Sequence, residues 1–237
     1  MTIDLFETPE RLALAKVTAD FTTREIVPSL SQWEDDELIP REVHQALGRV
    51  GLLGVGYDES VGGSGGDSID ATVLTEAVIG AGASGGAYAS LFSHGIAIPH
   101  IIDAAQARAR AGEQADADRL IERFVRPVLA GGKIAARAVT EPDGGSDVAH
   151  LRTRAVRDGD DWVINGAKTY ITSGIRADVM VIAARTGDVG AAGISLFAVD
   201  TSAPGFIVTR KLRKMGWNCS DTAELAFVDL RVPNGAL

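Results

Sequence analysis

The densest group of reactive residue types is Thr140-Glu141-Pro142-Asp143-Gly144-Gly145-Ser146-Asp147, with two hydroxyls, three carboxylates, one proline and two adjacent glycines. Pro142 restrains a turn. Gly144 and Gly145 are expected to take positive φ and to let backbone approach a ligand closely. Amide N–H groups exposed by such a loop can hold a carbonyl-rich ring or a phosphate. A plain turn, with Asp143, Ser146 and Asp147 capping local backbone groups, uses the same residues. On residue chemistry alone both readings stand, the plain turn slightly ahead.

Two glycine-rich segments compete for attention. Gly80-Ala81-Gly82-Ala83-Ser84-Gly85 matches G-x-G-x-x-G, with Asp103 placed where a ribose-binding acid could lie. That motif works only where a strand enters a tight turn opening a helix. The residues entering here put Val73, Leu74, Ala77 and Val78 on one helical face, so a helix–loop–helix connection is expected and a nicotinamide site is rejected. Gly62-Gly63-Ser64-Gly65-Gly66 reads equally as a hinge or an ordered surface loop. His44, His94, His100 and His150 show no metal-ligand spacing, so no metal is expected. Cys219 is the only cysteine, which leaves no intrachain disulfide.

The elements that must position these groups change character near residue 130. Thr8-Pro9-Glu10 is a helix start. A second helix is expected over Pro40–Val50, closed by Gly51, and others over Ile69–Ile79, Tyr88–Ala104 and Ala115–Val128. Beyond Pro127 the pattern is that of strands. They are expected at Lys133–Val139, Val179–Ala184, Ile194–Val199, Phe206–Thr209 and Glu224–Val228. Asn165-Gly166 reads as a hairpin turn between Trp162–Ile164 and Thr169–Thr172. The fold class is α+β: a helical domain over residues 1–130, then a β-sandwich or barrel-like domain over residues 131–237.

The charge is acidic, 32 Asp plus Glu against 23 Lys plus Arg, a net of -9. With no long basic run, nucleic acid is not an expected partner. The start of the chain lacks a signal-peptide pattern, and Ile96–Ile102, the most apolar stretch, is too short to span a membrane. The chain reads as cytoplasmic.

Four segments, in order, resemble the acyl-CoA dehydrogenase family. Ala138 to Asp147 resembles its flavin-binding signature, and Asn165-Gly166-Ala167-Lys168-Thr169-Tyr170-Ile171-Thr172 its second flavin segment. Lys214-Met215-Gly216-Trp217, with Ser220 to Leu225 and Val232-Pro233, resembles the end of its β domain. Tyr57 to Gly66 resembles the glycine-rich loop of its N-terminal helical domain. The resemblance implies bound FAD and oxidation of an acyl-CoA thioester to the trans-2-enoyl-CoA. It implies that Thr140 and Thr172 hydrogen-bond the flavin ring, that Val139, Gly145, Ser146 and Ile171 touch it, and that Tyr170 is the flanking aromatic. Ser146 would also approach the pantetheine, while Tyr88, Leu91 and Phe92 would limit the acyl chain. An electron-transfer flavoprotein is the implied acceptor, and the complete protein would be a homo-oligomer.

The departures shape the expectation. His150 stands where the family has a small residue. Arg137 replaces an apolar or aromatic one, either adding charge near the flavin or pointing to solvent. No acidic residue matches the family's catalytic glutamate, which belongs to a second helical domain following the β domain; Glu141 is expected to be structural. The chain alone is therefore expected to be inactive in dehydrogenation. A same-fold acyl-CoA oxidase or flavin monooxygenase, or a non-catalytic flavin-site subunit, remains open.

Overall fold

The computed structural model describes residues 6–233 and 235. Helix α1 (Pro9–Phe21) begins where Thr8 accepts the Arg11 amide and Pro9 fills a first-turn position whose N–H needs no partner. Helices α2 (Leu30–Asp36), α3 (Arg41–Arg49) and α4 (Ser68–Gly80) follow. Asp67 and Asp70 close a capping box at the start of α4, and Arg11 bonds both carboxylates, tying α1 to α4. Helix α5 (Gly85–Leu91) starts on Ser84, which accepts the Ala87 amide. Gly80 to Gly85 thus join two helices, and no strand enters them. Gly62 to Gly66 form an ordered loop: Gly56 and Tyr57 pair with Gly65, and a side chain at Gly63 would strike the Tyr57 carbonyl.

The helix expected over Tyr88–Ala104 is broken. It ends at Leu91, passes through a tight turn at Ser93–Ile96, and restarts as α6 (Ile98–Arg110) with Pro99 in its first turn. Proline lacks the N–H that a helix interior requires, so the sequence punctuates here rather than continues. Helix α7 (Gln114–Leu120) runs through a widened turn at Ile121–Val125 into α8 (Arg126–Leu129).

The chain folds as two compact units. One comprises Met1–Phe92, Arg126–Gly132 and Lys214–Ser220; the other comprises Ser93–Val125, Lys133–Arg213 and Asp221–Leu237. The first has an apolar centre that includes Phe21, Trp33, Leu47, Leu74 and Leu91. The second contains all the described strands: β1 (Ala135–Ala138), β2 (Arg154–Asp158), β3 (Asp161–Thr172), β4 (Val179–Arg185), β5 (Ile194–Asp200), β6 (Phe206–Lys211) and β7 (Thr222–Pro233). They form one curled sheet in the order β1-β4-β2-β3-β7-β6, with β5 also on β4. Strand β4 is buried at every position. Its Met180, Ile182 and Ala184 enter the sheet's core with Ala136, Ala138 and Phe197, while Val181 on the opposite face lines a small cavity together with Ile101 and Ala104 of α6. That two-sided burial explains its unbroken apolar run.

Asn165-Gly166 is not a hairpin. Both flanking segments belong to β3 and pair with β7, with a register shift between Ile164 and Gly166. Asn165 and Asp229 exchange hydrogen bonds across the shift, and Asp229 carries a φ of 48°. The hairpin lies earlier, at Asp158-Gly159-Asp160-Asp161, where Gly159 takes a φ of 63° at the first central position. Asn-Gly chemistry suits both devices, and the pairing with β7 decides for the bulge.

Gly166 has a φ of 153°, and a Cβ there would lie 2.5 Å from the Thr153 hydroxyl and 2.7 Å from the Thr153 Cα. Gly166→Ala should therefore cost about 2 kcal/mol, lowering Tm by roughly 4–8 °C. Thermal unfolding checks this; an unchanged Tm would show that Thr153 gives way freely.

Candidate functional site

Everything in the Thr140 loop hangs from one buried carboxylate. Glu141 is 7 % exposed. It accepts the Arg152 amide at 2.7 Å, the Thr153 amide at 2.8 Å and the Lys168 ammonium at 2.9 Å. Lys168 also donates to the Val139 carbonyl at 2.9 Å, and its side chain is completely shielded from solvent. The Thr169 amide donates to the Thr140 carbonyl at 2.9 Å. The loop is thereby stitched to β3, so the two flavin-like segments do meet in space. Glu141 is structural, as expected.

The electrostatics follow from this geometry. Burial pushes the Glu141 carboxyl up, but hydrogen bonds from Thr153, the Arg152 amide and Lys168 outweigh it and hold the group below its ordinary value. Lys168 has fewer partners for complete burial, and desolvation brings its ammonium down to about 8 despite Glu141.

Inside the loop, the glycines behave differently from expectation. Neither Gly144 nor Gly145 takes positive φ. The turn closes through reciprocal bonds between the Glu141 and Gly144 backbones, and the space where a Gly144 side chain would stand is open. Gly145 matters for proximity: a Cβ there would sit 3.3 Å from the Thr140 methyl. Asp143 binds Arg152 at 2.7 Å and Asp147 binds the exposed His150 at 2.7 Å, so both carboxylates hold side chains rather than cap backbone. Ser146 is exposed.

The far end of β3 is shaped by a second register shift, between Lys168 and Ile171. Tyr170 takes a φ of 58° and stands 70 % exposed, while Ile171 turns into the core. Thr172 is half-buried beside the turn Ser173-Gly174. That turn is held by Asp221, whose backbone oxygen accepts the Ser173 amide and whose carboxylate accepts the Ile175 amide and pairs with buried Arg176 at 3.0 Å. The Thr140 and Thr172 hydroxyls have no protein partner among the described residues. Two half-buried hydroxyls flanking an outward aromatic ring form a donor set suited to the edge and face of a polar heteroaromatic ring.

The remaining predicted residues fall elsewhere. Val139 and Arg137 lie on or just beyond β1, and Arg137 is half-buried and bonded to His100 at 3.0 Å, not released to solvent. Tyr88, Leu91 and Phe92 belong to the first unit. Leu91 is fully buried, Tyr88 and Phe92 stack at 4.9 Å, and the Tyr88 hydroxyl meets Thr75 at 2.7 Å. Sequence reasoning missed three supports: Lys168, the Arg176–Asp221 pair, and Arg185. Arg185 donates to the carbonyls of Ala149, Leu151, Asp188 and Gly190. A charge embedded in an apolar strand was the available signal for Lys168 and Arg185.

Known proteins share the sequence and fold of this chain. Residues 8–112 match the model "Acyl-CoA dehydrogenase, N-terminal domain" and residues 136–230 match "Acyl-CoA dehydrogenase, middle domain". The chain belongs to the acyl-CoA dehydrogenase family. The mitochondrial long-chain specific acyl-CoA dehydrogenase of Mus musculus is 40% identical over 220 residues, which cover 92% of this chain and 48% of that protein. A solved structure of a probable acyl CoA dehydrogenase from Mycobacterium abscessus is 55% identical with a TM-score of 0.90, covering 98% of this chain and 59% of the other. A glutaryl-CoA dehydrogenase from Mycobacterium smegmatis, solved in complex with FADH2, is 26% identical with a TM-score of 0.78, covering 98% and 56%. The chain spans about half the length of the curated relatives it matches. No helix among the described residues is long and apolar enough to cross a membrane.

Lys168→Met should cost about 3–5 kcal/mol in urea unfolding, because a buried carboxylate loses its counter-charge. A loss under about 1 kcal/mol would show that the amides alone carry Glu141. Since the folded-state pKa of Glu141 is depressed, its contribution is present above the ordinary carboxylate range and is lost as pH falls through the depressed value. Glu141→Gln should flatten that acid limb of the stability curve.

Proposed function

We propose that this chain is the flavin-holding part of an FAD-dependent acyl-CoA dehydrogenase, one that oxidises an acyl-CoA thioester to the trans-2-enoyl-CoA. The observation that carries the reading is the pair of unpartnered hydroxyls, Thr140 and Thr172, flanking the outward Tyr170 on a loop and strand fixed to each other through Glu141 and Lys168. This donor set fits a flavin. When bound, FAD supplies the hydride acceptor for the substrate β carbon.

In this reading the chain's own residues position and do not react. Thr140 and Thr172 donate to the ring edge, Tyr170 covers it, Val139 and Ile171 back it, and Gly145 with Ser146 brings loop backbone close. Ser146, exposed beside them, faces the thioester's pantetheine arm. Tyr88 and Phe92, with Leu91 behind, bound the acyl chain. Misplacement of the reacting carbons by an ångström is costly, so rigidity in this frame serves rate directly. We assign no base to any residue of this chain; Glu141 is committed to its three donors. Electrons pass on to an electron-transfer flavoprotein, the enzyme works in the cytoplasm as a homo-oligomer, and along the sequence its helical domain gives way to its β domain between residues 130 and 131.

Titrating the purified chain with FAD, followed by flavin fluorescence, tests the reading. Thr140→Val and Thr172→Val should each weaken binding by roughly 5- to 10-fold, the worth of one hydrogen bond made on binding. A wild-type chain that leaves the fluorescence untouched at saturating FAD would overturn it.

A further inference from the structure

Arg137 departs from the residues expected at its position and carries a charge that the protein leaves open. On β1, Ala136 and Ala138 point into the sheet's core, so Arg137 projects from the opposite face, where its neighbour in register is Val181. That face carries α6, with His100, Ile101 and Ala104 lining a small apolar cavity beside Val181. The guanidinium makes one hydrogen bond, to His100 Nε2 at 3.0 Å, and no ion pair among the described residues.

The chemistry of that bond is directional. A guanidinium only donates, so His100 Nε2 must accept, which requires a neutral ring with its proton on Nδ1. His100 therefore orients Arg137 without neutralising it. A half-buried arginine with most of its N–H groups unspent is costly unless something anionic completes it. Its planar fork matches a group offering two coplanar acceptors. Val139 follows two residues later, just beyond the end of β1, no more than about 7 Å away along the chain, within the segment assigned to the flavin.

We propose that Arg137, oriented by His100, is a seat for a planar anionic group of a bound ligand. The placement rests on the flavin reading above. Two sources offer that chemistry: the anionic pyrimidine edge of reduced flavin, and a terminal carboxylate on the acyl chain. His100 is a positioning residue; Arg137 is the contact.

Two measurements separate these sources. In the first, glutarate is titrated into the chain without flavin while the backbone amide signals of β1 and α6 are followed by NMR. Saturable shifts in wild type, lost in Arg137→Met and weakened in Arg137→Lys, support a carboxylate seat. In the second, the midpoint potential of FAD bound to the chain is measured. Arg137→Met should lower the preference for reduced over oxidised flavin about tenfold, or ~30 mV for the two-electron couple. His100→Gln, which keeps an acceptor, should retain the wild-type response in whichever arm reports it, whereas His100→Phe should lose most of it. No shift with glutarate and an unchanged potential would overturn the proposal. If the wild type takes up no FAD, the flavin reading fails by itself, and the glutarate arm still decides the seat.

Discussion

The site depends on one buried carboxylate. Glu141 gathers the Arg152 and Thr153 amides and the Lys168 ammonium around two oxygens, joining the loop, the approach to β2 and the middle of β3. Without it, the buried Thr153 amide and the partly buried Arg152 amide would lose their acceptor and the Lys168 ammonium would keep only the Val139 carbonyl, each loss costing on the order of 1–3 kcal/mol. The loop's shape is the solution to that demand. Glycine freedom contributes less than its composition suggests, since neither Gly144 nor Gly145 leaves the ordinary φ range.

Asp221 repeats the device at the other end of β3. One side chain takes the Ile175 amide and Arg176, and its backbone takes the Ser173 amide. Ser173 has a φ of 59°, and Gly174 has no room for a side chain against Ala223. Thr140 and Thr172 therefore each stand next to an element locked by a buried carboxylate. Their own hydroxyls are spared from structural duty. That separation of labour leaves a rigid frame with two hydroxyls unspent.

How much of this could be read beforehand varies with distance along the chain. The helix starts at Thr8 and Asp67 are local chemistry and visible in sequence. The residue types of Ala138 to Asp147 and of Asn165 to Thr172 were visible too, but their meeting through the Thr169 amide and the Thr140 carbonyl was not. Asn165-Gly166 misled because a type I′ turn and a bulge use the same dipeptide, and only the register against β7, some sixty residues away, separates them. Arg176 and Asp221 are 45 positions apart, and nothing local couples them. Strand β2 escaped because alternation in Arg154 to Asp158 puts four charged or exposed positions around a single buried Ala155.

Arg137 illustrates what such readings omit. From sequence, a cation at that position had two fates, contact with a ligand or release to water. The fold removes the second by placing the side chain on the face covered by α6 and supplying His100 as an acceptor. An acceptor that is itself neutral can aim a charge but cannot cancel it. Had evolution needed only a filled space there, an apolar residue would have served at lower desolvation cost. The retained charge, together with a partner chosen for direction and not for neutralisation, is what distinguishes an anion seat from a core contact. It differs in kind from Lys168, whose charge is answered inside the protein by Glu141.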